Sequence, residues 1–340
     1  MTITIRDVAA AAGVSPATVS RALRGMPNVD ERTRARVQRV AAKLDYVVSP
    51  NASRLASGRT GSIAVITPYI SRWYFSTVLS GVESVIQAAG MDLLLLSVDD
   101  HIPGHFRAAP ASRLRRRVDG VLVIALPPKS EQLREVIELG MPTALIGITV
   151  GDAPNVTIDD EDAARQATRH LANLGHTRIG LIGGDPDGTA FTAESERERG
   201  YRSVVAEYSL SDDPLLHASG YFTIAGGEQA MNALLTQRNP PTAVFCMSDE
   251  MAFGALRSLT RHGLTPGRDV SIVGIDGHDM SEHLDLTTVG QPVYDLGRIA
   301  AESLLSQMAK PTDVEPVPGH IRVPTRLIVR GSTSPVASSR

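Results

Sequence analysis

Apolar residues recur along this chain in two rhythms, and the change falls near residue 60. Before it the spacing is helical. Ile5, Val8, Ala9 and Ala12 share one face of "IRDVAAAAG", and Gly13 follows as a C-terminal stop. Ser15 and Pro16 suit the cap and first turn of a second helix reaching about Leu23, with Val19 and Leu23 facing inward. Asp30 suits the cap of a third, "ERTRARVQRVAAKL", whose inner stripe is Val37, Val40, Ala41 and Leu44. Three short helices with so few large apolar residues predict a marginal core.

"SPNASRLASGRTGS", from Ser49 to Ser62, is small, polar and glycine-containing, which suits a linker. Beyond it come short, nearly continuous apolar runs: "SIAVITP", "DLLLLSV", "GVLVIAL", "TALIGI", "RIGLIGG", "TAVFCM" and "SIVGID". Such runs suit strands covered on both faces. Helical stretches alternate with them, among them "YFSTVLSGVESVIQAAG", "DEDAARQATRHLANLG" and "DEMAFGALRSLTRHG". That alternation predicts parallel α/β sheets, and the number of runs predicts two lobes. The expected fold is therefore mixed α/β: an all-α helix-turn-helix head and a two-lobed domain with parallel sheets. The expected boundaries are 1–47 for the head, 48–60 for a hinge and 61–340 for the lobes.

Charge sharpens this division. Residues 1–60 hold ten Lys/Arg against four Asp/Glu, whereas the other 280 residues hold 24 against 33. A basic head on an acidic body points to a polyanionic partner for the head. In a helix-turn-helix the second helix enters the major groove. With Val19 and Leu23 inward, Pro16, Ala17, Ser20 and Arg21 lie on or near the opposite face. The Thr18 and Ser20 hydroxyls suit phosphate oxygens. Arg21 suits either the two acceptors of a guanine edge or a phosphate. Pro16 and Ala17 read bases only by shape or through thymine methyls. A helical pair used for packing alone is the other reading of this stretch.

"TIRDVAAAAGVSPATVSRAL", "VDERTRARVQRVAAKLDYV" and "RLASGRTGSIAVITP" resemble the LacI/GalR family of bacterial transcription regulators. The resemblance continues in order through "RVDGVLV", "HLANLGHTRIGLIGG", "PTAVFCMSDEMAFGAL", "DVSIVGIDG" and "LTTVGQPVYDLGRIAAESLL". It implies a DNA-binding head, a hinge helix and a two-lobed effector domain similar to periplasmic sugar-binding proteins. It also implies a homodimer on double-stranded, palindromic operator DNA, a ligand-responsive repressor and a sugar-type effector. Head contacts would come from Thr4, Ser15, Pro16, Ala17, Thr18, Ser20, Arg21 and Asn28. In the hinge, Leu55 would wedge into the central base step while Ala52 allows close approach; the other reading of Leu55 is a stray apolar linker residue.

The same resemblance implies an effector pocket. Phe75 matches a ring-contact position beside Tyr74, and packing as core is the other reading of both. Arg72 and Trp73 stand where the family often has Asn-Pro. Arg197 matches an arginine that holds ligand hydroxyls, Asp276 a sugar-binding carboxylate and Phe222 an aromatic on the far wall. Ser248 stands where the family often has Asn. Asp159, ending "NVTID", is a further candidate, and Gln291, at an expected lobe crossover, reads as either pocket or hinge.

No enzyme is expected: the chain has neither a Walker-type loop nor a nucleophile elbow. His101 with His105, and His278 with His283, read as solvated loop histidines, so neither metal nor cofactor is expected. Cys246, the lone cysteine, reads as a small buried hydrophobe. No run approaches the length of a membrane span, and the expected location is the cytoplasm.

Overall fold

The computed structural model describes residues 3–23, 25–46, 59–98, 111–184, 192–309 and 319–336. The chain divides into two units, Met1–Gly61 and Ser62–Arg340. In the first, α1 (Ile5–Ala12), α2 (Pro16–Leu23) and α3 (Glu31–Lys43) match the helical rhythm closely. Gly13 takes φ +63°, the left-handed conformation that closes a helix without a Cβ clash. Asp30 accepts the Thr33 amide and caps α3. The core is small, built on Val8, Ala9, Ala12, Val19, Ala22, Val37 and Ala41; Leu23, Val40 and Leu44 pack half-buried at its edge.

The second unit contains two six-stranded sheets. The first is ordered β11–β5–β4–β3–β1–β2, from strands β1 (Ser62–Thr67), β2 (Asp92–Ser97), β3 (Gly120–Ile124), β4 (Thr143–Ile146), β5 (Asn155–Thr157) and β11 (His320–Arg322). The second is ordered β12–β10–β9–β8–β6–β7. Its strands are β6 (Ile179–Gly183), β7 (His217–Ser219), β8 (Ala243–Cys246), β9 (Ser271–Asp276), β10 (Thr287–Gly290) and β12 (Arg326–Ile328). Every pairing is parallel except β10 with β12. All seven apolar runs are strands. Those that the sequence rhythm leaves out, β5, β7, β10, β11 and β12, are three or four residues long and too polar or too short for a periodic signal. Cys246 is buried in β8 as a small hydrophobe, and burial pushes its thiol upward.

Helices α4 (Trp73–Ala88), α5 (Glu131–Glu138) and α11 (Val293–Met308) belong to the first lobe. Helices α6 (Asp160–Asn173), α7 (Thr192–Glu207), α8 (Ile224–Leu235), α9 (Asp249–Arg261) and the short α10 (Met280–His283) belong to the second. The chain thus passes between lobes three times: from β5 into α6, from β10 into α11, and from β11 to β12. These passages are neighbours, because β5 pairs with β11 and β10 with β12. β2 is an edge strand, yet its leucines serve both faces: Leu93 and Leu95 pack on one core cluster, Leu94 and Leu96 on the other.

Where α4 crosses α11, a glycine from each helix lets the backbones meet. A Cβ on Gly81 would stand 2.0 Å from the Tyr294 carbonyl oxygen, and one on Gly297 would stand 2.0 Å from that of Val78. The backbone has no room to yield without parting the helices. Gly297→Ala should therefore cost roughly 1–3 kcal/mol of stability in urea unfolding; an unchanged midpoint would show that the crossing is loose.

Candidate functional site

On the head, α2 exposes Pro16, Ala17 and Arg21 and half-buries Thr18 and Ser20, while Val19 and Ala22 enter the core. The Ser15 hydroxyl accepts the Thr18 amide at 3.1 Å and lies 2.9 Å from the Thr18 hydroxyl, so both side chains form the start of α2. Thr4 opens α1 in a related way. Its backbone N–H and hydroxyl donate to Asp7 at 2.8 and 2.7 Å. These bonds, the hydroxyl's first, hold the Asp7 carboxyl below its ordinary value. Asn28 is exposed on the turn before α3, where Arg34 donates to the Met26 carbonyl at 2.7 Å and fixes the loop. Ala52 and Leu55 lie outside the described residues.

In the second unit the C-terminal ends of both sheets face one cavity, as expected of ligand sites in open α/β sheets. The first lobe contributes Tyr74 and Phe75 from α4, Ala125 beyond β3, Gly147 and Ile148 beyond β4, and Leu296 from α11. The second contributes Asp160, Arg197, Phe222, Ser248, Glu250 and Asp276, with Gln291 at the passage into α11. Seven of the eight pocket residues inferred from sequence meet here. Phe75 combines both of its readings: it is buried in the core, edge-on to Tyr69 at 5.4 Å, and it lines the cavity.

Asp159 is the exception. It caps α6, accepting the Asp162 amide at 2.9 Å, and takes the Arg322 guanidinium at 2.8 Å outside the cavity. Its neighbour Asp160 turns inward instead. That exchange was legible: once Asp159 is the cap, Asp160 falls on the same helical stripe as the buried Ala163, Ala164 and Ala167. His278, read as solvated, is also placed differently, stacked on Trp73.

Arg197 is the hub of the cavity. Its Nε donates to Asp160 at 2.7 Å, one Nη donates to the Met247 carbonyl, and the same Nη stands 4.0 Å from Asp276. Burial alone would lower its pKa, but Asp160 and Asp276 outweigh that and keep the guanidinium charged. Asp276 accepts from Gln291 at 2.8 Å and from the Asp249 amide at 3.3 Å. Burial pushes its carboxyl up to about 8; Arg197 opposes the rise and Asp249 adds to it. Burial, then Asp160, also raises the Tyr74 hydroxyl. Ser248 spends a lone pair on the Met251 amide and so caps α9 while lining the site.

Three lining residues hold left-handed backbone without being glycine: Ala125 at φ +45°, Phe222 at +52° and Asp276 at +143°. Such conformations persist only where the surroundings impose them, and they cluster at ligand sites. Among the described residues no group of His, Cys, Asp and Glu is arranged to hold a metal ion. No described helix is long and apolar enough to cross a membrane.

Residues 4–51 match the family described as bacterial regulatory proteins, lacI family, and residues 168–333 match the periplasmic binding protein-like domain. The HTH-type transcriptional repressor CytR of Escherichia coli (strain K12) is 35% identical, over 97% of this chain and 96% of that one. The lac repressor dimer bound to operator and the anti-inducer ONPF superposes with a TM-score of 0.83 at 26% identity, covering 98% of this chain and all of the other. The transcriptional regulator CelR in complex with cellobiose gives 0.69 at 31% identity, covering 97% and 99%. With the head match at residues 4–51 and 35% identity to a repressor over nearly its whole length, the chain belongs to the lacI family of bacterial regulatory proteins.

Proposed function

We propose that this chain represses genes of carbohydrate uptake or catabolism, binding a palindromic operator as a homodimer and taking a sugar-type effector in the interlobe cavity. The observation that carries the reading is the joining of two sites in one chain: an exposed α2 face on a basic head, and a cavity with an arginine held between two acids. The regulator CelR, seen with cellobiose, and the operator-bound lac repressor dimer support the two halves.

The cavity chemistry suits a polyhydroxylated ring. Phe75 and Phe222, one from each lobe, offer apolar faces to a ring. Asp160, Arg197 and Gln291 offer acceptors and donors for hydroxyls. A neutral Asp276 carboxyl both donates and accepts, so it bonds a hydroxyl without burying a second negative charge. The effector acts on DNA binding only if it binds the lobe arrangements unequally. Tyr221, Ile224, Met280 and Leu284 are exposed apolar residues of the second lobe, available to a second copy.

Footprinting should reveal a protected inverted repeat, and Arg21→Ala should weaken specific operator binding at least about fivefold at fixed salt; unchanged affinity would remove Arg21 from the interface. A calorimetric screen of sugars, nucleosides and sugar phosphates should yield a binder that Arg197→Ala loses; no heat from any of them would refute the carbohydrate reading. The Asp276 carboxyl also makes stability depend on pH. It stays protonated in the folded chain up to about 8 but ionises above about 4 once unfolded. Its contribution is therefore complete at low pH and is lost as pH rises through that window. Urea unfolding should show wild-type stability falling toward pH 8 more steeply than that of Asp276→Asn, and parallel slopes would show that the carboxyl is ionised in the folded chain.

A further inference from the structure

Trp73, the chain's one tryptophan, opens α4 in the first lobe and reaches into the second. Its indole stacks on His278 with ring centroids 4.5 Å apart and planes 26° apart. Its Nε1 donates to Asp279 at 3.2 Å. One residue thus makes two contacts across the lobes. Neither Trp73 nor His278 lines the cavity, but their neighbours Arg72 and Glu250 do, so the bridge stands at the rim.

Each half of the bridge is braced within its own lobe. The buried Asp249 carboxylate takes the His278 N–H at 2.9 Å, the Ser281 hydroxyl at 2.7 Å and the Thr288 hydroxyl at 2.7 Å. The His278 Nδ1 accepts the Met280 N–H at 2.9 Å, and Phe253 meets the ring edge-on at 5.0 Å. Opposite, the Ser76 hydroxyl donates to the Trp73 carbonyl at 3.0 Å, and the Arg72 guanidinium lies 3.6 Å over the Tyr69 ring. Two braced surfaces, one from each lobe, meet at this contact.

We infer that Trp73 is a clasp that links the two lobes at the rim of the cavity. The inference rests on reading the cavity as the effector site and assigns that site its regulation. The clasp favours the closed arrangement of the lobes, and the cavity opens more often without it. Because the two rings form one contact, removing either removes the same interaction.

Amide hydrogen exchange on the full-length, ligand-free chain tests this. Trp73→Ala and His278→Ala should each speed exchange by about two- to tenfold around Gly147 and Ala193, cavity segments that neither substitution alters. The double variant should be no faster than Trp73→Ala alone, which already removes the stack and the Asp279 bond. Trp73→Phe, which keeps a ring but loses the Nε1 donor, should fall between wild type and Trp73→Ala, and it keeps the test open if the alanine variant does not fold. Unchanged exchange in both single variants, or effects that simply multiply in the double, would overturn the clasp. Operator footprinting of the wild type is scored separately: its failure would sink the regulator reading and leave the exchange result standing.

Discussion

The cavity depends on how one buried positive charge is balanced. Taking a guanidinium out of water is costly unless it is paired and its donors are satisfied. Arg197 meets Asp160 through Nε and the Met247 carbonyl through Nη, and stands within 4.0 Å of Asp276. Burial raises the Asp276 carboxyl toward its neutral form, and Asp160, closest to the guanidinium, is its ion-pair partner. The four residues come from α6, α7, the end of β8 and the end of β9, so a single side chain ties the rim of the second lobe together. The arrangement fixes geometry more than it adds stability.

Strain gathers at the same place. Ala125, Phe222 and Asp276 sit where strands give way to loops, in left-handed backbone that L-residues adopt reluctantly. Phe222 thereby projects into the cavity beside Gly184, where an added Cβ would stand 2.4 Å from its ring. A flexible loop would not keep such backbone; the packed ends of β3, β7 and β9 impose it. Pre-set walls of this kind reduce the ordering that a ligand must cause.

Most of the fold was legible in the chain because its signals are periodic. The three head helices and seven strands follow from spacing and caps alone. The short strands were not, since three residues carry no period, and Gln291 could be placed at a crossover only by motif. The resemblance gathered residues that the fold brings to one cavity, Arg197 and Asp276 among them. Asp159 misled because a carboxylate at a strand's end serves equally well as a helix cap, and only the burial stripe behind it selects Asp160. Trp73 was visible only as an oddity: nothing local to residue 73 indicates that residue 278 will lie against it.

The three neighbouring passages between the sheets limit what the clamshell can transmit. One tether would let the halves tumble, and two would leave them free to shear. Three adjacent strands, with β11 held to β5 and β12 held to β10 by backbone hydrogen bonds, leave chiefly rotation about one axis. Any relative movement of the two halves is therefore read as a change of angle, with its pivot at the strands that join them.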